Sequence, residues 1–440
     1  MPGDPLRFAL QANASGLATG HYNWTVRLVA RYGTKTATRD FTGSYDVVNR
    51  NSSEFGPGWN LAELARLYPT AGGQLLVSGT GASLFFPATG GGAFSSPAGP
   101  LAYSTLVQSG SNFALTAKTG EVQNFNALGL LTSTVDLNGN TVTYVYTDAN
   151  SDGTAAELAS ITDPFGRATT FAYSAGKVTS VTDIAGRVTA VSRDGNSRIT
   201  TVTSPDPDGA GPLSSPATSY VYDASKHITS VSDPLAHVTQ LQYAFSGRLK
   251  TIVNPDSTTR QVSPLQTLGL VDTGSWQGTQ MFPATLTKPG QSSFMMTDEL
   301  NLQTVVRVDR FGNVVSFKSP LGNTTLTTRD ANGLPTQITS PDPDGGGPLS
   351  SPVTTIQYDA KGNPTLVTFP DGTTQSATYH ASLNRPLTVT DQRGKTTTLT
   401  YDVKGNTLTS TDPNGKVTTL TYNGRGQILS MTAPDPDDAG

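Results

Sequence analysis

The sequence predicts an all-β protein built as one long antiparallel meander, and three observations carry that expectation. Turn markers recur every ten or eleven residues, as at positions 391, 402, 412 and 423. Between them lie short β-branched and aromatic runs such as Lys416-Val417-Thr418-Thr419-Leu420-Thr421-Tyr422. The composition agrees, with 66 threonines and 45 glycines among 440 residues and only 14% charged side chains. That is too much Thr and Gly for a helical bundle, and too little charge for charge-driven disorder.

The turns set the period. Asp391-Gln392-Arg393-Gly394 and Asp412-Pro413-Asn414-Gly415 have the chemistry of a type I turn: Asp bonds forward to backbone N–H groups and Gly takes the left-handed position. Proline at the second position, also seen in Asp163-Pro164-Phe165-Gly166, presets φ for the same bend. The pattern returns at Asp163, Ser174, Asp183 and Asp194, and again at Asp309, Ser319 and Asp330.

The strands between these turns alternate faces. In 416–422, Leu420 and Tyr422 share one face while Val417, Thr419 and Thr421 share the other. Tyr358, Tyr379, Tyr401 and Tyr422 stand 21, 22 and 21 residues apart, so the tyrosine falls on every second strand. The spacing predicts a one-sided hydrophobic ladder, the intervening Leu and Val filling the gaps between tyrosines. About twenty such strands cannot stay flat, because twist accumulates, so the ribbon should curl into a spiral shell or solenoid.

Residues 6–48 also alternate, as in Asn23-Trp24-Thr25-Val26-Arg27-Leu28-Val29, and read as a small sandwich of immunoglobulin or fibronectin type within residues 1–50. Leu61, Leu64, Ala65 and Tyr68 have helical spacing, compatible with one short turn or an irregular strand. A lead-in region of hairpins over 51–130 and repeats over 131–440, degenerate at 261–300, complete the expected organisation.

Several function classes are excluded. The 29 basic and 33 acidic residues give a net charge of −4, without the basic excess that a nucleic-acid surface requires. Zero cysteines rule out disulfides, thiolate metal sites and thiol nucleophiles. No run of 18 apolar residues could span a membrane as a helix, and residues 1–5 show no signal-peptide pattern, so an export signal would lie upstream. The four histidines stand singly, and neither a Gly-x-Ser-x-Gly elbow nor a phosphate loop occurs.

The aspartates are turn residues before they are catalytic ones. Paired-carboxylate glycosidase chemistry needs two carboxyls at a set separation, whereas nearly all of these open a turn. His380 occupies such an Asp position. Pro205-Asp206-Pro207-Asp208-Gly209, Pro341-Asp342-Pro343-Asp344-Gly345 and Pro434-Asp435-Pro436-Asp437-Asp438 offer too few oxygens for calcium and read as elongated hairpin loops. Asp148, Asn150 and Asp152, followed by Gly153, match the first half of an EF-hand loop and are the candidate calcium ligands. Ala159 stands where the bidentate Glu belongs, so a polar turn is the competing reading.

Tyr401-Asp402-Val403-Lys404-Gly405-Asn406-Thr407-Leu408, followed by Thr411-Asp412-Pro413-Asn414-Gly415-Lys416-Val417-Thr418, resembles the YD repeat of the Rhs family, over roughly residues 120–440. Ala236 and His227 stand where that repeat expects Gly and Asn, and 261–300 keeps an echo around Lys288-Pro289-Gly290. Ser53-Glu54-Phe55-Gly56-Pro57-Gly58-Trp59 is similar to the FGxGW motif ahead of YD repeats, and Thr119–Leu131 to the first turn-in of that region.

The resemblance implies function by enclosure. Rhs proteins form a hollow β-cocoon around a C-terminal toxin or cargo, while related repeats in wall-associated bacterial proteins and teneurins act at the cell surface. The sequence stops at Asp437-Asp438-Ala439-Gly440 inside another turn insert, without the family's shell-closing segment, self-cleaving aspartate or toxin domain, so no catalytic residue is carried over. The expectation is a secreted or surface-exposed, non-enzymatic wall segment of a longer protein, prone to associate through cut strand edges, with a covalently linked cargo as partner. The alternative is a surface adhesin or carbohydrate-binding ribbon using scattered aromatics such as Trp276 and Phe317.

Overall fold

A computed structural model describes residues 14, 16–209, 211–244, 247–263, 266–267, 271–272, 286–287, 292–309 and 311–434. Every regular element among them is a β-strand. No helix among the described residues is long and apolar enough to cross a membrane. The chain divides into two compact units, one of Met1–Phe85, Ala149–Ser151 and Ala172–Gly322, the other of Phe86–Asp148, Asp152–Phe171 and Asn323–Gly440.

The first unit begins with a two-stranded ribbon, Gly20–Tyr32 against Lys35–Val47, in full register. Where a small sandwich is expected over 1–50, the described residues form one hairpin. The same alternation serves both, because periodicity marks the faces of a strand and not how many sheets cover them. Trp24 lies across Gly43, where a Cβ would sit 2.4 Å from the indole. At the ribbon's base His21 bonds Asp46 at 2.7 Å and stacks on Phe85 at 3.9 Å. Leu61 and Leu64 form a turn rather than a helix, and Tyr68 lies on the strand Arg66–Thr70, paired with Gly73–Val77.

The repeats of this unit run as a meander through Lys177–Thr182, Val188–Arg193, Ile199–Thr203, Ala217–Tyr222, Ile228–Ser232, Val238–Tyr243, Leu249–Val253 and Thr259–Val262, each paired antiparallel with the next. Thr259–Val262 then pairs with Ser292–Thr297.

In the second unit ten strands from Thr324–Arg329 to Ile428–Thr432 repeat the scheme. The turn at Asp402 is representative. Asp402 N–H donates to Asn406 O at 2.9 Å, Gly405 N–H donates to Asp402 O at 3.0 Å, and the Asp402 carboxylate accepts from Lys404 and Asn406 N–H at 2.9 Å each. Gly405 has φ +83°, the left-handed position that the sequence assigned to it. Such donors act on the carboxyls: the backbone N–H of Arg187 and its guanidinium hold Asp183 below the usual carboxylate range.

Ala236 fills the same position without being glycine, at φ 65°. A Cβ there is strained, so Ala236→Gly should raise stability by about 1 kcal/mol, less the extra chain entropy of glycine. A urea midpoint that stays put or falls would show the turn to be relaxed.

Burial follows the face pattern but is shallow in the repeats. On Thr396–Tyr401 the residues Thr396, Thr398 and Thr400 are exposed, and Thr397, Leu399 and Tyr401 are only half-buried. Fully buried side chains of this unit sit earlier, at Phe86, Leu106, Phe125, Leu131 and Leu158.

A row of turn-to-turn contacts ties the second unit's early hairpins to its late ones. Asn138 and Asn406 exchange side-chain amide bonds at 2.9 and 3.2 Å across 268 residues of sequence. Asn140 Nδ2 donates to Arg425 O at 3.0 Å, Asn384 Nδ2 to Lys118 O at 2.9 Å, and Asn332 Nδ2 to the Tyr103 hydroxyl at 3.1 Å. Arg425 also lies over the Phe165 ring at 4.7 Å. The early positions 103, 118, 138 and 165 thus meet 332, 384, 406 and 425 in the same order.

Candidate functional site: a strap seated on repeat hairpins

The lead-in motif is a small self-bonded knot. Gly58 N–H and Ser53 N–H both donate to Arg50 O, and Ser53 Oγ donates to Trp59 O at 2.6 Å. Gly56 at φ +109° and Gly58 at φ +84° make the bends that an L side chain resists.

This strap lies on the first unit's repeats, held by successive backbone carbonyls. Lys177 Nζ donates to Ser52 O at 3.0 Å and Ser53 O at 2.7 Å. Val178 N–H takes Glu54 O at 3.0 Å, and Arg193 Nη1 takes Phe55 O at 3.0 Å. Trp59 Nε1 donates to the Tyr222 hydroxyl at 3.1 Å, its indole edge-on to Tyr220 at 5.1 Å. Beneath it Val178 and Ile199 are almost wholly buried. A Cβ on Gly56 would stand 2.5 Å from Arg193 Nη1 and 3.2 Å from Ser197 O, so the missing side chain is what leaves room for the guanidinium against the strap.

Burial pushes the Tyr222 phenol up, against the opposing effect of the Trp59 indole that donates to it. Burial pushes the Arg193 guanidinium down, with Tyr222 opposing. The guanidinium nevertheless stays charged and spreads its donors over three carbonyls, those of Val178, Phe55 and Ser197.

The repeat tyrosines have a device that the period alone did not reveal. Tyr401, Tyr379, Tyr243 and Tyr146 each donate their hydroxyl to the carbonyl 15 residues earlier, at Pro386, Pro364, Ile228 and Leu131, over 2.7–2.9 Å. Tyr358 does the same to Pro335 across a longer insert, at 2.7 Å. Each acceptor opens its strand, and each tyrosine sits at a β-bulge. The bulge twists the strand so that the ring reaches the open end of its own hairpin.

The calcium candidates are on the surface. Asp148, Asn150 and Asp152 are exposed, and the Asp148 carboxylate accepts Asp152 N–H at 3.0 Å and Gly153 N–H at 2.9 Å. Calcium there would have to share those oxygens with backbone donors. The proline-aspartate inserts use their acids in the same way: Asp206 caps Asp208 N–H, and Asp208 caps Leu213 N–H, repeated at Asp342, Asp344 and Leu349. In the third insert, residues 435–438 lie outside the described residues. His380 accepts N–H bonds from Ser382 and Leu383, in the manner of the Asp it replaces. Phe317 is exposed, and Trp276 lies outside the described residues. No cluster of three His, Asp or Glu suited to a metal occurs among the described residues.

The RHS Repeat family model matches residues 174–208 and 401–437. No curated protein matches the chain. Among solved structures, TcdB2-TccC3 without its hypervariable C-terminal region is 13% identical with a TM-score of 0.44, over 85% of this chain and 21% of that one. The Photorhabdus luminescens Tc holotoxin pore is 12% identical with a TM-score of 0.28, over 82% and 23%. The chain therefore spans about a fifth of the length of the structures it resembles, and scores this low add nothing to the fold described above. RHS repeats are thus matched in both units, and the same hairpin of Asp-headed turns and bulge-seated tyrosines recurs between and beyond the matched residues.

Proposed function

We propose that this chain is a non-catalytic wall segment of an Rhs-type β-shell, that the whole protein encloses a polypeptide cargo linked after its repeats, and that it acts outside the cell that makes it. The observation that carries this reading is the row of turn contacts in the second unit, which bonds hairpins 229 to 285 residues apart. A meander tied to its own earlier turns along one edge makes a wall, where an untied one makes only a ribbon. The Rhs resemblance supplies the expectation of cargo.

Protease protection in the whole native protein tests it. The segment following the repeats should survive digestion while the wall is folded and be cut once denaturant opens it. Cleavage as fast as that of the same segment expressed alone would overturn the proposal. Saturable binding on a glycan array would instead support the adhesin reading.

A further inference from the structure

The meander contains one long module twice. Arg193-Asp194, the insert beginning at Pro205, and Tyr222 recur as Arg329-Asp330, the insert beginning at Pro341, and Tyr358, every position offset by 136. In both copies an arginine stands at the β-bulge that in most other repeats holds the tyrosine. Arg193 Nη1 bonds Ser197 O, and Arg329 Nη1 bonds Gly333 O, the equivalent carbonyl. Both copies also carry an aromatic from outside the repeats. Trp59 rests on Tyr220 and Tyr222 in the first. In the second, Tyr103 bonds Asn332 and covers Gly362, where a Cβ would stand 2.4 Å from its ring.

Arg193 also preserves what it replaces. Its Nη2 and Nε reach Val178 O, 15 residues back, at 2.9 and 3.3 Å, which is the acceptor a tyrosine hydroxyl would take. The fork of donors leaves Nη1 free to take Phe55 O as well, which one hydroxyl could not do.

We propose that Arg193 is the positioning residue that selects the hairpin on which the 52–59 strap seats, and that arginine in the tyrosine's place marks a strap seat in this repeat. A tyrosine at 193 would close the hairpin and leave the strap unheld. An arginine does both. The strap is read through its carbonyls, so the seat's specificity lies on the repeat side and in Gly56, whose missing side chain admits the guanidinium.

Hydrogen exchange of R193Y in the full chain tests this, because the two roles separate. Amides of 53–59 should exchange at least about tenfold faster, and so should Val178, which donates to the strap's Glu54 O, while the remaining amides of the strands Lys177–Thr182 and Val188–Arg193 keep their protection, the tyrosine having remade the bond to Val178 O. Unchanged strap protection, or equal loss in strap and strands, would overturn the proposal. Should R193Y fail to fold, R193K serves: it keeps the charge but lacks the fork. The same strap-selective loss is then expected, and a wild-type pattern would sink the idea. Gly56→Ala, which crowds the guanidinium from the strap side, should reproduce the R193Y pattern.

Discussion

Replacing Phe125 with alanine should destabilise the second unit by about 3–5 kcal/mol, the usual cost of an emptied aromatic site in a packed core. Phe125 is 1% exposed and lies opposite Leu131 on one neighbouring strand and Phe113 on the other, with Leu131 itself fully buried. The same truncation at Leu399, half-buried on a repeat strand, should cost only about 1 kcal/mol, because less apolar area leaves water there in the first place. Urea unfolding, followed by exchange protection of the strands around 113–131, checks the contrast. Equal costs at the two sites would mean that the repeats carry a core of their own.

Alkali should open the repeats before it harms anything else in the chain. Burial pushes the phenols of Tyr243, Tyr358, Tyr379 and Tyr401 above their ordinary value. All four donate their hydroxyl to a backbone carbonyl. The neutral phenol is therefore the form that the fold prefers. Its contribution is fully present below the unfolded tyrosine pKa of about 10 and is lost as pH rises through the higher folded values. Ionisation removes the donor and leaves a phenolate facing a carbonyl oxygen. Phenolate absorbance should show a delayed class of tyrosines among the 15, rising together with loss of the β signal in circular dichroism. A single titration near pH 10 with the sheet intact would refute it. Tyr401→Phe should cost about 1 kcal/mol at neutral pH, the worth of one net hydrogen bond, and should remove one tyrosine from the delayed class.

What could be read from the sequence is what is local. The turn at Asp402 through Gly405, the exposed Thr396, Thr398 and Thr400, and the inward Leu420 and Tyr422 follow from turn chemistry and a period of two. The bond from Tyr401 to Pro386 did not follow, because a bulge sets the ring's reach and alternation is silent about bulges. The strap motif was visible through its glycines and tryptophan, yet its seat was not. Lys177, Val178 and Arg193 hold main-chain oxygens, which every sequence possesses, so no pairing of residue types announces the contact. The one hint was Arg193 at a tyrosine's place in the period. The fully buried side chains were equally hard to place, since Phe86 and Leu106 lie where the repeat is not yet regular.

The pairing of Asn138 with Asn406 also sets a clock on the ribosome. Neighbouring hairpins can close within microseconds of emerging, but the partner of Asn138 is 268 residues away. At a synthesis rate of about 5–20 residues per second, it arrives roughly 13–54 s later. For that interval the nascent chain carries a row of formed but unmet turns. Slowing translation across the later repeats would lengthen this window without altering a single bond of the finished molecule.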